Sequence, residues 1–210
     1  MNEEGPMKIL TRCFAISVAM LFASMAEAQQ TINGCQIKRR TSCPGANLSG
    51  ADLTKSNLSN ADLSGANLSG ANLNADKIAN TNLSKANLSD ANLAGTVLTG
   101  TYLNNANLSR ANLDKADLSQ ASLPDASLRE ASLVGANFSM TNLKGADLTG
   151  ANAKGAVFIM ASLSNANLTR ADLTEATLAG ADLCNAILEG VRFCKTTMPD
   201  RSVNNSGCPK

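Results

Sequence analysis

An all-β solenoid of stacked, four-cornered coils is the fold this sequence predicts, and three observations carry the prediction. From Ala46 to Lys195 the chain repeats every five residues, from Ala-Asn-Leu-Ser-Gly at 46–50 to Val-Arg-Phe-Cys-Lys at 191–195, thirty pentads without an insertion. The central residue is Leu in 25 of the thirty, with Ile78, Phe138, Ala153, Phe158 and Phe193 as exceptions, and the residue two before it is Ala in 23. Small polar residues close many pentads, as in Ser49-Gly50, Ser69-Gly70, Thr99-Gly100 and Thr149-Gly150.

The period excludes the simpler alternatives. Five residues of α-helix turn through about 500°, so a stripe of that period wanders around the cylinder. A continuous strand would change face at each five-residue repeat, because its side chains alternate with period two. A short extended piece followed by a corner satisfies the pattern. Ala and Leu, two apart, point inward, the residue between them points out, and the last two residues turn. Four corners close a square of twenty residues, so thirty pentads make 7.5 coils, a prism roughly 36 Å long at about 4.8 Å per coil.

The elements follow in chain order. Residues 1–28 read as a secretory signal: Lys8 and Arg12 precede an apolar run from Cys13 to Met25, and Ala26-Glu27-Ala28 offers a small-x-small cleavage pattern. Met7 is the expected biological start and Gln29 the expected mature N-terminus. The run is shorter than the roughly 20 residues of a membrane span. Residues 29–45 form an N-terminal cap with Cys35 and Cys43, 46–195 the solenoid, and 196–210 a C-terminal cap. Caps are required because each end of a solenoid exposes strand edges and bare core.

At this length and regularity the Ala-(Asn/Asp)-Leu-x-x run resembles the pentapeptide repeat family. The flanking Cys-Pro-Gly before Ala46 and Thr-Thr-Met-Pro-Asp after Lys195 are similar to segments around such repeats in bacterial members. The resemblance implies a right-handed quadrilateral parallel β-helix. Some relatives resemble duplex DNA in shape and protect DNA gyrase, which makes a topoisomerase-binding DNA mimic one reading of the role.

Composition weighs on that role. The chain has no His and no Trp, its aromatics are 3% of residues, and its formal charge is +1. Without residues 1–28, 16 cationic side chains face 14 anionic ones, a balance of +2. A DNA mimic needs a strongly negative surface, and nucleic-acid binding needs a strongly positive one. A polysaccharide-active enzyme, the third reading, lacks a carboxylate cluster with a basic partner in adjacent columns. The reading that asks for nothing missing is a non-enzymatic exported scaffold, with no metal or cofactor, that binds a protein or envelope partner in the periplasm, outside the cell or in a thylakoid lumen.

Residues twenty apart stack into columns, and departures from the repeat become spatial features. Asp90, Arg110 and Glu130 share a corner column, where they form either a docking stripe or charge pairs between coils. Asp76 stands where small inward residues belong: either a carboxylate is buried there or, as the slipped text Asn74-Ala75-Asp76-Lys77 favours, the corner is distorted so that Ala75 turns inward. Phe158 fills the space left by Ala153 and stacks on Phe138. Cys184 and Cys194 lie on opposite faces, so the expected disulfides are Cys35–Cys43 and Cys194–Cys208, with Cys184 free. Val97, Met140, Val157, Ile159 and Met160 fall on the face centred on Leu58, Ile78, Leu98, Leu118, Phe138, Phe158 and Leu178. The last four of these outward residues make one apolar patch, open to a second copy, to another protein, or to cover by the folded-back tail.

Overall fold

The computed structural model describes residues 30–209, so the expected signal and the mature start at Gln29 lie outside the described residues. Among those described there is no helix. The named strands are two residues long and occur only at the ends: β1 (Thr31–Ile32) and β2 (Cys35–Gln36), then β3 (Thr196–Thr197) and β4 (Val203–Asn204). Between them, single-residue parallel bridges connect residues twenty apart, from Ser42 with Asp62 to Thr177 with Thr197. Each bridge is made by the second residue of a pentad, so the extended segment is only as long as the sequence pattern allows.

Most pentads satisfy their backbone donors in the way that 66–70 illustrates. Ala66 N–H closes the preceding corner onto Leu63 O at 3.0 Å. Asn67 N–H reaches back one coil to Ala46 O at 2.9 Å, while Leu68 N–H reaches forward to Asn87 O at 2.7 Å. Gly70 N–H also goes forward, to Ser89 O at 2.9 Å. Ser69 N–H has no ladder partner and donates to the Oδ1 of Asn67, two residues earlier, at 3.2 Å. The frequent Asn or Asp before the central Leu is thereby explained: it is the acceptor for the one N–H that the stacking cannot reach.

The fifth residue of all thirty pentads has a positive φ, between 53° and 69°. Gly tolerates such angles, yet nineteen of the thirty corners are Asn, Lys, Arg, Asp, Glu, Gln, Met or Ala. A left-handed non-Gly residue costs on the order of 1 kcal/mol. It is held there by the fifth-position N–H bond to the next coil and by the corner bond that follows it within its own coil.

Inside, the central residues from Leu48 to Leu178 are at most 1% exposed and the first-position Ala residues line the corners beside them. Thr replaces Ala at 81, 96, 101, 141 and 196, each fully or nearly fully buried. Each hydroxyl donates to the carbonyl 23 residues earlier, at 2.7–3.0 Å. A buried hydroxyl is tolerated because that carbonyl is within reach. Phe138 and Phe158 stack in parallel with centroids 5.0 Å apart, and Ala153 is fully buried with them.

The ladder runs beyond the thirty pentads at both ends. Thr41–Gly45 already stacks on the next coil, through Cys43 N–H to Asp62 O at 2.8 Å and Gly45 N–H to Ser64 O at 2.8 Å. Thr197 and Pro199 likewise receive the N–H groups of Leu178 and Gly180. Outside these, β1 and β2 form a hairpin through Asn33 and Gly34, both at positive φ, the two-residue turn that Asn-Gly favours. At the other end β3 pairs antiparallel with β4. Beyond β4, Gly207 donates to Phe193 O at 2.6 Å, where a Cβ would stand 2.8 Å from Phe193 N. Disulfides join Cys35 to Cys43 and Cys194 to Cys208, with Cα separations of 5.7 and 4.6 Å.

Leu108→Asp places an unpaired charge in the dry core and should cost more than about 4 kcal/mol. The outward Ser109→Asp should stay within about 0.5 kcal/mol. Urea unfolding of the two variants measures the contrast, and equal losses would contradict the inward and outward assignment.

Candidate interaction surface

Most outward polar side chains are committed to the frame. Asp stands at the second position six times, at 52, 62, 117, 147, 172 and 182. All six accept the N–H two residues on, at 2.9–3.1 Å. The backbone bond from Thr54 holds the Asp52 carboxyl below its ordinary range. Burial pushes Asp147 up, but the bonds from Thr149 and Arg129 outweigh it and the net direction is down. These six carboxylates are backbone acceptors fixed in place.

The ladder expected at Asp90, Arg110 and Glu130 is half formed. Arg110 grips Asp90 with two bonds of 2.8 and 2.7 Å, whereas Glu130 forms no ion pair among the described residues. Arg129 turns instead to Asp147 at 2.8 Å. Such half-exposed pairs tie coils together weakly and form no continuous charged stripe.

The expected slip at Asp76 does not occur. Ala75 takes the left-handed corner at φ 53°, and Asp76 keeps the inward position at 1% exposure. Ser56 donates to its Oδ2 at 2.6 Å, and its Oδ1 has no partner. Burial pushes its pKa to about 6 against the lowering effect of Ser56 and of the Lys77 backbone. The bridge of Lys77 with Val97 and the bond from Val97 N–H to Asp76 O explain the outcome, because a slip would sacrifice both.

The apolar face is the remaining feature that no packing need explains. Met140 is 55%, Met160 66% and Ile159 40% exposed, with Val157 half-buried beside Ile159. The two Met residues are one coil apart in one corner column. The tail leaves the patch open, since its contacts run to Phe193, Lys195 and β3 at the end of the prism. Val97, 37% exposed, sits between Lys77 and Asp117 in its column and stands apart from the patch. Tyr102 and Ile187 show that other faces also carry exposed apolar residues, each bridged to polar neighbours: Asn82 and Ser122 beside Tyr102, Asn167 beside Ile187. Among the described residues, no group of three or more His, Cys, Asp or Glu could hold a metal, and no helix is long and apolar enough to cross a membrane.

A family profile described as pentapeptide repeats matches in eight copies, over residues 41–75, 81–120, 111–150, 151–190 and 161–198. No curated protein matches. Among solved structures, a pentapeptide repeat protein of the Arabidopsis thaliana thylakoid lumen is 29% identical over 44% of this chain and 64% of its own, with a TM-score of 0.43. A pentapeptide repeat protein from Nostoc is 39% identical over 36% of this chain and 63% of its own, at 0.36. The plasmid-mediated fluoroquinolone resistance protein QnrB1 is 20% identical over 72% of this chain and 81% of its own, at 0.38. The chain thus spans just under two thirds of the length of the first two.

Two measurements check this geometry. A raised carboxyl pKa means that the folded state prefers the proton: the Asp76 contribution is fully present below about pH 4 and is lost as pH rises through about 6. The loss is about 3 kcal/mol, so Asp76→Ala should flatten stability between those limits and raise the melting temperature at pH 8. Thiol labelling without reductant, followed by peptide mapping, should modify Cys184 and neither Cys194 nor Cys208, since only Cys184 is free and exposed among the described cysteines.

Proposed function

The chain belongs to the pentapeptide repeat family, and from that premise we propose that it is an exported, non-enzymatic scaffold that binds a protein partner. Its frame is then a right-handed quadrilateral β-helix of about 7.5 coils over the thirty pentads. The observation that carries the reading is the contrast between the apolar patch of Met140, Val157, Ile159 and Met160 and its polar surroundings. A patch of this kind on a polar prism marks an interaction site, and Met side chains adapt to a partner's shape.

Two observations support export. The segment at 7–28 has the order of a secretory signal. The two disulfides belong to an oxidising compartment, and by closing the ends of the chain they supply about 3 kcal/mol for a loop of about 15 residues. The non-enzymatic part of the reading is supported by the second-position carboxylates, whose acceptor capacity the backbone uses. A DNA mimic is disfavoured by the balance of +2 and by corner columns in which no acid stacks directly on another.

Expressed in a bacterium with its own N-terminus, the protein should be recovered outside the cytoplasm, beginning at Gln29 by mass spectrometry. A soluble cytoplasmic product retaining residues 7–28 would refute export. Capture from the native envelope should yield a partner that is lost with the Met140→Lys, Ile159→Lys double variant. Retention of every partner by that variant would remove the patch from the proposal.

A further inference from the structure

We propose that the occupant of the apolar face is a second copy of this chain, packed face to face and antiparallel about a two-fold axis that crosses the face midway between Phe138 and Phe158. The proposal rests on the patch being a binding site and assigns its partner from the order of residues in the columns.

A two-fold axis lying across a flat face sends each level of one copy onto the mirrored level of the other, while each corner column meets its own counterpart. In the corner column after the Phe residues stand Gln120, Met140, Met160 and Gly180. An axis midway between the Phe rings lays Met140 on the partner copy's Met160, and Met160 on its Met140. The opposite corner column of the same face carries Lys115, Gly135, Gly155 and Glu175. The same axis lays Lys115 on the partner copy's Glu175, twice by symmetry, with only Gly between. Lys115 is exposed and makes no ion pair among the described residues, and Glu175 has only a loose, half-exposed contact of 3.6 Å with Lys195. One axis therefore satisfies the apolar pair and the charged pair together.

Nothing in the band opposes it. Besides Lys115 and Glu175, the only charge on this face over the four matched levels is Asp117, which the same axis lays on the partner copy's uncharged Thr177; the other outward residues are Asn, Ser, Gln, Thr, Ala, Gly and the apolar four. Other registers fare worse. Moving the axis up so that Met160 meets its own copy sets Lys115 against Lys195, a like-charge contact. A parallel arrangement about an axis along the prism sets both Met residues against the glycine corner. The matched band spans three coil steps, about 14 Å, which places the contact among weak, small interfaces with dissociation constants in the micromolar range.

Sedimentation equilibrium of the full chain up to about 100 μM should show a monomer–dimer equilibrium. Met140→Lys with Ile159→Lys should leave a monomer with unchanged circular dichroism and both disulfides intact. Lys115→Glu alone should weaken the dimer about tenfold or more, and adding Glu175→Lys should restore it. In a Cys184→Ser background, a mixture of Met140→Cys and Met160→Cys chains should cross-link on oxidation in preference to either alone. A monomer throughout the range, a dimer indifferent to the double Lys variant, or a charge swap without rescue would overturn the proposal. A monomer that still captures an envelope partner through the patch would overturn the second copy and leave the scaffold reading standing.

Discussion

The N–H of a fourth-position residue faces away from both neighbouring coils, and in most of the thirty pentads the side chain at the second position receives it. Stacking supplies carbonyls for the second, third and fifth N–H groups and the corner supplies one for the first. Where the second position is Asn or Asp, its Oδ1 is the right length to reach the fourth N–H two residues on. Where Ser132 is too short, Asp114 from the preceding coil accepts Val134 N–H at 3.0 Å instead. The tail repeats the device at Ser202 and Ser206, each bonded to an Asp or Asn two residues before.

That acceptor also governs the column. Asn offers an Nδ2–H₂ besides its Oδ1, and several second-position Asn residues donate to the Oδ1 one coil below, as Asn67 does to Asn47 and Asn137 to Asp117. Asp has no such donor, and an Asp above another Asp would face it with nothing but lone pairs. None of the six second-position Asp residues has Asp at the adjacent level of its column. The choice between Asn and Asp is therefore constrained by a residue twenty positions away.

Much of this was legible because one short period fixed the inward Leu and Ala, the columns and the stacking of Phe138 on Phe158. What was not legible had specific causes. The first stacked pentad, Thr41–Gly45, places Thr and Cys where Ala and Leu are usual, so its membership shows only in its hydrogen bonds. The Asn33-Gly34 turn was a readable hairpin signal that two-residue strands gave no hydrophobic pattern to support. At Asp76 the aversion to a buried carboxylate pointed toward a slip, but the bridged neighbours on both sides outweighed it. The exposed patch was readable from columns alone, whereas its freedom from the tail required the path of residues 196–209.

A solenoid ordinarily sheds repeats from its termini, where each coil has one neighbour instead of two. Here a cystine staples the chain at either end, and fraying from those ends is covalently limited. The weaker steps along the axis are then displaced inward, to the levels where Asp76 and Asn152 hold buried oxygens without hydrogen-bond partners. Mechanical or thermal rupture of this prism would begin as a crack in its shaft.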